Sequence, residues 1–202
     1  MDYLLFSGLL ALAGYTLKTR AERKRITLLA QHLAGYEIEK LMQTLTEGYA
    51  RALGEHDAAR RASIWQLLGV AESKLAAQVR QLAASFARVA PEQARVHRLP
   101  WPLGELATWF KGSSFDLREA LKVHADGLAR TLAPGESVRP QARAFTLSAE
   151  MLLLQHSCHW YCKSKAVASA RMMVRHQTPY ARLLESVSPE TRRAYTALLG
   201  ER

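Results

Sequence analysis

Along most of the chain apolar residues return every three or four positions, and short stretches of Gly, Pro and charge separate these periodic segments. Apolar and polar residues nowhere alternate over a useful length. The pattern predicts an all-α fold: a helical bundle of five to seven helices built on a long antiparallel hairpin, with a hydrophobic N-terminal helix. Ile26, Leu29, Leu33, Ile38, Met42, Leu45, Tyr49 and Leu53 mark one amphipathic stretch, with Gly35 placed for a kink and Gly54 for a stop. Ile64, Leu68, Ala71, Leu75, Val79, Leu82, Phe86 and Val89 mark a second helix over about 56 to 90, advancing like a coiled-coil seam. Only a few residues join the two, so an antiparallel hairpin is the simplest arrangement.

Pro91 ends the second helix, and Trp101 sits between Pro100 and Pro102 in the best candidate loop of the chain. A short helix over 103–111 would carry Trp109 and Phe110. Asp116 and Glu119 have capping-box spacing for a helix to about Leu132, whose apolar face includes Leu117, Leu121 and Leu128 together with His124. Residues 133–137 read as a turn. Pro140 to His176 then forms the longest stretch without an internal Gly or Pro, and Pro140 suits a first helical turn. Thr178-Pro179 interrupts it, and Ser188-Pro189-Glu190 starts a last helix that stops at Gly200.

The N-terminal run changes the picture. From Tyr3 to Leu17 nearly every residue is apolar, and Lys18, Arg20, Arg23, Lys24 and Arg25 follow at once. A spanning helix needs about 20 apolar residues, with about 17 as the lower end, so the run is short for a span. The only charge ahead of it is Asp2, which does not suit a cleaved secretory signal. The asymmetry of basic residues predicts a single pass through the inner (cytoplasmic) membrane with the C-terminal domain in the cytoplasm, the five basic residues meeting anionic headgroups. The alternative is a cytoplasmic protein with residues 1–17 packed in its core. Ser7, Ala11 and Gly14 form a small-residue stripe along the run, which suits close approach of another helix or ordinary core packing. The domain reading is therefore residues 1–17 as a hydrophobic N-terminal helix and 18–202 as a single helical domain.

Composition narrows the partners. Hydrophobic residues make up 49% and charged residues 23% of the 202, as in an ordinary folded chain. Lys and Arg number 28 against 18 Asp and Glu, a formal +10, so partners reached through long-range electrostatics are acidic: anionic lipid, nucleic acid or an acidic protein. Two cysteines with three residues between them form no disulfide framework and point to a reducing compartment.

His156, Cys158, His159 and Cys162 are the one crowding of possible metal ligands. With His156 at zero on a helical wheel, His159 falls near about −60°, Cys162 near about −120° and Cys158 near about −160°. The four fan over nearly half the circumference and cannot share one ion. A pair such as His159 and Cys162 would need two further ligands for a tetrahedral zinc site. No Gly-rich phosphate loop, nucleophile elbow or nucleophile-base pair occurs, so no enzyme, cofactor or small-molecule substrate is expected. Lys163, Lys165, Arg171 and Arg175 follow Trp160 and Tyr161 and form a candidate surface for an anionic partner. The functional expectation is a membrane-tethered accessory or scaffold protein that docks a protein partner, with homo-oligomerisation open. The alternatives are a soluble basic protein binding nucleic acid and a helical metal-binding protein using His159 and Cys162.

Overall fold

A computed structural model describes residues 2–98, 113–133 and 139–200, with side chains from Phe6 onward. Among the described residues there are nine helices: α1 (Asp2–Leu33), α2 (Ile38–Gly54), α3 (Ala58–Phe86), α4 (Pro91–Ala94), α5 (Leu117–Leu132), α6 (Pro140–Cys162), α7 (Lys165–His176), α8 (Tyr180–Ser186) and α9 (Pro189–Leu199). Two three-residue strands, β1 (Arg95–His97) and β2 (Ser114–Asp116), precede α5.

The all-α bundle built on a hairpin is present. Gly35 lies in a full break between α1 and α2, where the sequence suggested a kink. α2 returns along α3 in antiparallel fashion: the Glu37 N–H donates to Gln78 Oε1 at 2.8 Å, while Tyr49 packs on Trp65 with ring centroids 5.9 Å apart. The buried face of α3 is Trp65, Leu68, Glu72, Leu75, Val79, Leu82 and Phe86. It follows the expected seam except that Trp65 and Glu72 take the inward places beside Ile64 and Ala71. Glu72 is only 2% exposed and is held from both neighbours: Tyr49 Oη donates to Oε1 at 2.9 Å, and Arg143 of α6 meets Oε2 at 3.1 Å. Burial beside this carboxylate pushes the Tyr49 hydroxyl upward in pKa, so it stays a donor.

α6 is the central helix. It packs against α1, α2, α5, α7, α8 and β1, and residues on all its sides are buried, from Ala144 and Leu147 to Trp160 and Tyr161. A helix apolar all round belongs in a core. α5 fits between α3 and α6, and α9 closes over α5. Asp116 caps α5 by accepting from Arg118 N at 2.8 Å, and the side chain that folds back on the cap is that of Arg118, which also donates to Val89 O at 3.1 Å. Ser188 caps α9, and Gly200 ends it in the left-handed conformation at φ 64°, as the sequence indicates.

Three features depart from expectation. The Pro140–His176 segment is two helices, because Lys163 leaves helical geometry (φ −133°, ψ −89°) and Ser164 caps a new helix. α7 folds back, so that His156 bonds Ser169 across the break. Strands do occur: β1 pairs antiparallel with β2 in the register Arg95–Asp116, Val96–Phe115, His97–Ser114. At three residues each they are too short to show a period of two. The count exceeds seven mainly through this break and the short α4 and α8. The expected loop around Trp101, the helix over 103–111 and the turn at 134–137 lie outside the described residues.

α1 runs through residues 17 and 18 without a break. Its second half docks on the body through buried Leu29, through His32 Nδ1 bonded to Ser85 Oγ at 2.7 Å, and through Glu22 paired with Lys163. No helix among the described residues is long and apolar enough to cross a membrane. The expected single-pass span is therefore not formed by this helix. The apolar run from Tyr3 to Leu17 rises only about 22 Å against a hydrocarbon core of about 30 Å, and charged residues follow directly.

Two glycines give a paired test of the packing. A Cβ on Gly127 of α5 would sit 2.4 Å from Thr191 Oγ1 and 2.6 Å from Glu150 Oε2, whereas Gly69 of α3 has open space around it. Gly127→Ala should lower stability by about 1–3 kcal/mol through overpacking, and Gly69→Ala should raise it by up to about 1 kcal/mol through helix propensity. Urea denaturation of both variants reads this directly, and equal shifts would contradict the packing of α5 against α6 and α9.

Candidate functional site

The first half of α1 stands off the body. Phe6, Leu9, Leu10, Leu12, Tyr15 and Leu17 are all large, apolar and between 58% and 67% exposed. They point around the whole helix, since positions 9, 10, 12 and 15 cover all sides at about 100° per residue. No other element among the described residues covers them. At the foot of this projecting segment lie the basic residues marked by the sequence. Lys18, Arg20, Arg23 and Lys24 are exposed, with Lys18 3.9 Å from Glu22. Arg25 is half-buried, and its charge acts on Tyr161 and Cys162 of the body. The foot of the segment thus carries four outward cations and one turned inward.

The cysteine-histidine crowding is split between two sides of α6. His156 is fully buried, bonds Ser169 Oγ at 3.1 Å and stacks on Tyr180 at 4.7 Å between ring centroids. Cys158, His159 and Cys162 line a different place, a pocket of about 200 Å³ between α1, α2 and α6. His124 meets neither His159 nor Cys162. Its Nε2 bonds Ser157 Oγ at 2.9 Å, and Ser157 Oγ in turn bonds Tyr195 Oη at 2.7 Å. Among the described residues no group of three or more His, Cys, Asp and Glu is arranged to hold a metal ion.

The protonation states follow from burial. Burial pushes the Cys158 thiol up to about 12, helped by Cys162 and Glu39. Burial also pushes Cys162 up to about 11, against the pull of Arg171, Arg25 and Lys163. Both are thiols at neutral pH, the form that neither attacks nor ligates well. Burial likewise holds His159 below its ordinary value, with Arg171 and Arg175 adding to the effect and Glu39 opposing it.

No family model, curated protein or solved structure matches the chain. Its chemistry is therefore read from its own residues.

The four basic residues after Tyr161 do not form one face. Lys163 is paired with Glu22 of α1, and the Lys165 ammonium lies over the rings of Trp160 and Tyr180 at 5.0 and 4.6 Å. Arg171 and Arg175 are exposed on α7. Sequence reasoning also passed over a buried polar cluster around Glu150. Its Oε1 accepts from Ser188 N at 3.1 Å and Ser188 Oγ at 2.9 Å, and Arg130 reaches Thr191 Oγ1 at 3.3 Å beside it. Burial raises the Glu150 carboxyl, partly offset by Thr191, Ser188 and Arg130. The available signal was a lone acid inside the apolar stretch of α6 facing Gly127. His124, Ser157 and Glu150 are all fully buried, so this cluster is out of a substrate's reach and ties helices together.

The buried histidines make stability acid-sensitive. Burial holds His124 down to about 3, with the charge of His156 adding, and holds His156 down to about 4, with Lys165 and His159 adding. The unfolded chain binds a proton at each below about pH 6.5, which the folded chain refuses until pH 4 or 3. Stability is thus fully present above pH 6.5 and falls as pH drops through that window, by about 1 kcal/mol per pH unit for each histidine. His156→Gln should remove one such contribution. Urea denaturation at pH 7 and pH 5 should show a smaller pH effect in the variant than in the parent, and an unchanged effect would contradict a neutral buried His156.

Proposed function

We propose that the protein is a helical accessory or scaffold protein that attaches to an anionic membrane surface by the projecting half of α1, without spanning it, and presents its helical body to a protein partner. The observation that carries the reading is the apolar segment from Phe6 to Leu17, exposed on all sides and followed by Lys18, Arg20, Arg23 and Lys24. A contiguous apolar surface of this kind marks an interaction site. Because the apolar residues surround the helix, it suits entry end-on into one leaflet better than lying in the interface plane. Its rise of about 18 Å reaches past one leaflet of hydrocarbon but falls short of both. The cations at its foot would then sit at headgroup level, each contributing about 1 kcal/mol near an anionic surface. For the protein partner, Leu67 and Val70 lie one turn apart on the outer face of α3 and are 72% and 70% exposed.

The nucleic-acid alternative gains less, since Lys163 and Lys165 are engaged within the chain and only Arg171 and Arg175 of that group stand outward. The metal alternative is left with two thiols and one imidazole that burial keeps from ligating well.

Vesicle flotation tests the proposal. The full chain should float with vesicles containing phosphatidylglycerol and bind pure phosphatidylcholine far less. Leu9→Asp with Leu12→Asp should abolish flotation, since each charge in hydrocarbon costs about 3 kcal/mol. Replacing Lys18, Arg20, Arg23 and Lys24 by Gln should weaken it about a hundredfold or more at low salt. Equal binding to both vesicle types, or none to either, would overturn it.

A further inference from the structure

Resting on the membrane attachment proposed above, we infer that the cleft between α1, α4 and the Tyr161 end of α6 binds one class of anionic lipid headgroup: a phosphodiester with an uncharged, hydroxylated tail, as in phosphatidylglycerol. The cleft has a volume of about 610 Å³. Small-molecule sites span about 300–1,000 Å³, so a whole headgroup fits. It opens on α1 directly after the projecting segment, at Arg23, Lys24 and Thr27. Glu92 and Gln93 line it from α4, and the buried Tyr161 lines it from α6, its hydroxyl donating to Gln93 O at 2.9 Å.

Two cations that line this cleft have no partner within the chain. Arg23 and Lys24 are exposed and form no ion pair with a described residue, whereas Arg25, which also lines it, is engaged within the chain. Arg23 and Lys24 start about 9–11 Å beyond Leu17 along the axis. Helical side chains lean toward the N-terminus, here the membrane side, so their charged ends come back toward the headgroup layer, about 5–8 Å deep on each face. A phosphodiester at that depth meets a guanidinium, which grips phosphate through paired N–H groups, and an ammonium, which acts as a point charge. One turn farther along α1 the lining changes from cations to hydrogen-bonding groups, with Thr27 beside Glu92 and Gln93. A hydroxyl and an amide donate and accept, and a carboxylate accepts, which together match alcohol groups. Glu92 meanwhile repels a second anion, so a headgroup that ends in a carboxylate or a further phosphate fits worse. Headgroups without net charge forgo the attraction of the exposed cations at the foot of α1.

Vesicles of equal surface charge separate the cleft from general attraction. The full chain should float with phosphatidylcholine vesicles carrying either phosphatidylglycerol or the same mole fraction of phosphatidylserine, and should bind the first at least fivefold more tightly. Glu92→Gln should tighten binding to phosphatidylserine at least threefold, since the repelling carboxylate is gone. Thr27→Val with Gln93→Ala, both exposed and checked for unchanged helix content, should bring phosphatidylglycerol down to the level of phosphatidylserine. Soluble glycerophosphoglycerol should compete with phosphatidylglycerol vesicles at a concentration where inorganic phosphate, at matched ionic strength, does not. Equal binding of the two anionic vesicle types by the parent chain, or a preference untouched in either variant, would overturn the cleft while leaving membrane attachment standing. Flotation with neither type would remove both. Competition by inorganic phosphate as strong as that by glycerophosphoglycerol would make this a site for free phosphate and overturn the lipid assignment.

Discussion

A helix buried on every side must find partners for the polar side chains it carries, and α6 draws a different neighbour at each level, although Nδ1 of His156 and Nδ1 of His159 bond none of the described residues. Glu150 accepts from the capping serine of α9. Ser157 joins α5 to α9 through His124 and Tyr195. His156 holds α7, the Trp160 indole N–H donates to His97 O in β1 at 3.0 Å, and Tyr161 Oη donates to Gln93 O in α4 at 2.9 Å. Apolar burial along α6 supplies most of the stabilisation, but it is nearly indifferent to a slip of one turn. The polar contacts are not, because a displaced partner leaves a buried donor or acceptor unpaired at a cost of about 1–3 kcal/mol. Register throughout the bundle therefore depends on the few polar side chains of its most apolar helix.

That division explains what could be read from the chain alone. Periodicity located the α2–α3 hairpin and the buried row from Leu68 to Phe86, since helical burial repeats at a fixed interval. Local capping chemistry located the starts of α5 and α9 at Asp116 and Ser188. The break at Lys163 had a weaker mark: Ser164 caps α7 but has no Gly or Pro beside it, and the turn is stabilised by contacts of α7 with α6 that only folding brings together. The same holds for Glu72. Its place in the seam looks unfavourable until Tyr49 and Arg143, from two other helices, are seen to flank it. At the N-terminus composition alone left burial and projection open, because an apolar helix is equally suited to a core or to an outside apolar phase.

The crowded histidines and cysteines show how misleading adjacency can be on a helix. Two, three and six residues after His156, Cys158, His159 and Cys162 lie on another side of the helix: α6 turns His156 toward α7 and α8 while these three face α1 and α2. The wheel predicts that dispersal, though not what lies beyond each side. The thiols meet aliphatic walls that keep them protonated, and the imidazole of His159 lies in the field of Arg171 and Arg175 on α7.

One geometric property links the outer and inner ends of α1. From Asp2 to Leu33 it is one continuous hydrogen-bonded rod, held near Glu22 by Lys163 and farther on by His32 against Ser85. Taken about Glu22, Phe6 lies about 24 Å to one side and Leu33 about 16 Å to the other. The rod is thus a lever with arms in a ratio of about three to two. Were the rod to tilt about that point, a sideways displacement of its tip would reach the residues that wall the pocket reversed and reduced by about a third. The exposed tip and the residues Leu29 and Leu33 that wall the pocket thus belong to one rod, without a break in secondary structure between them.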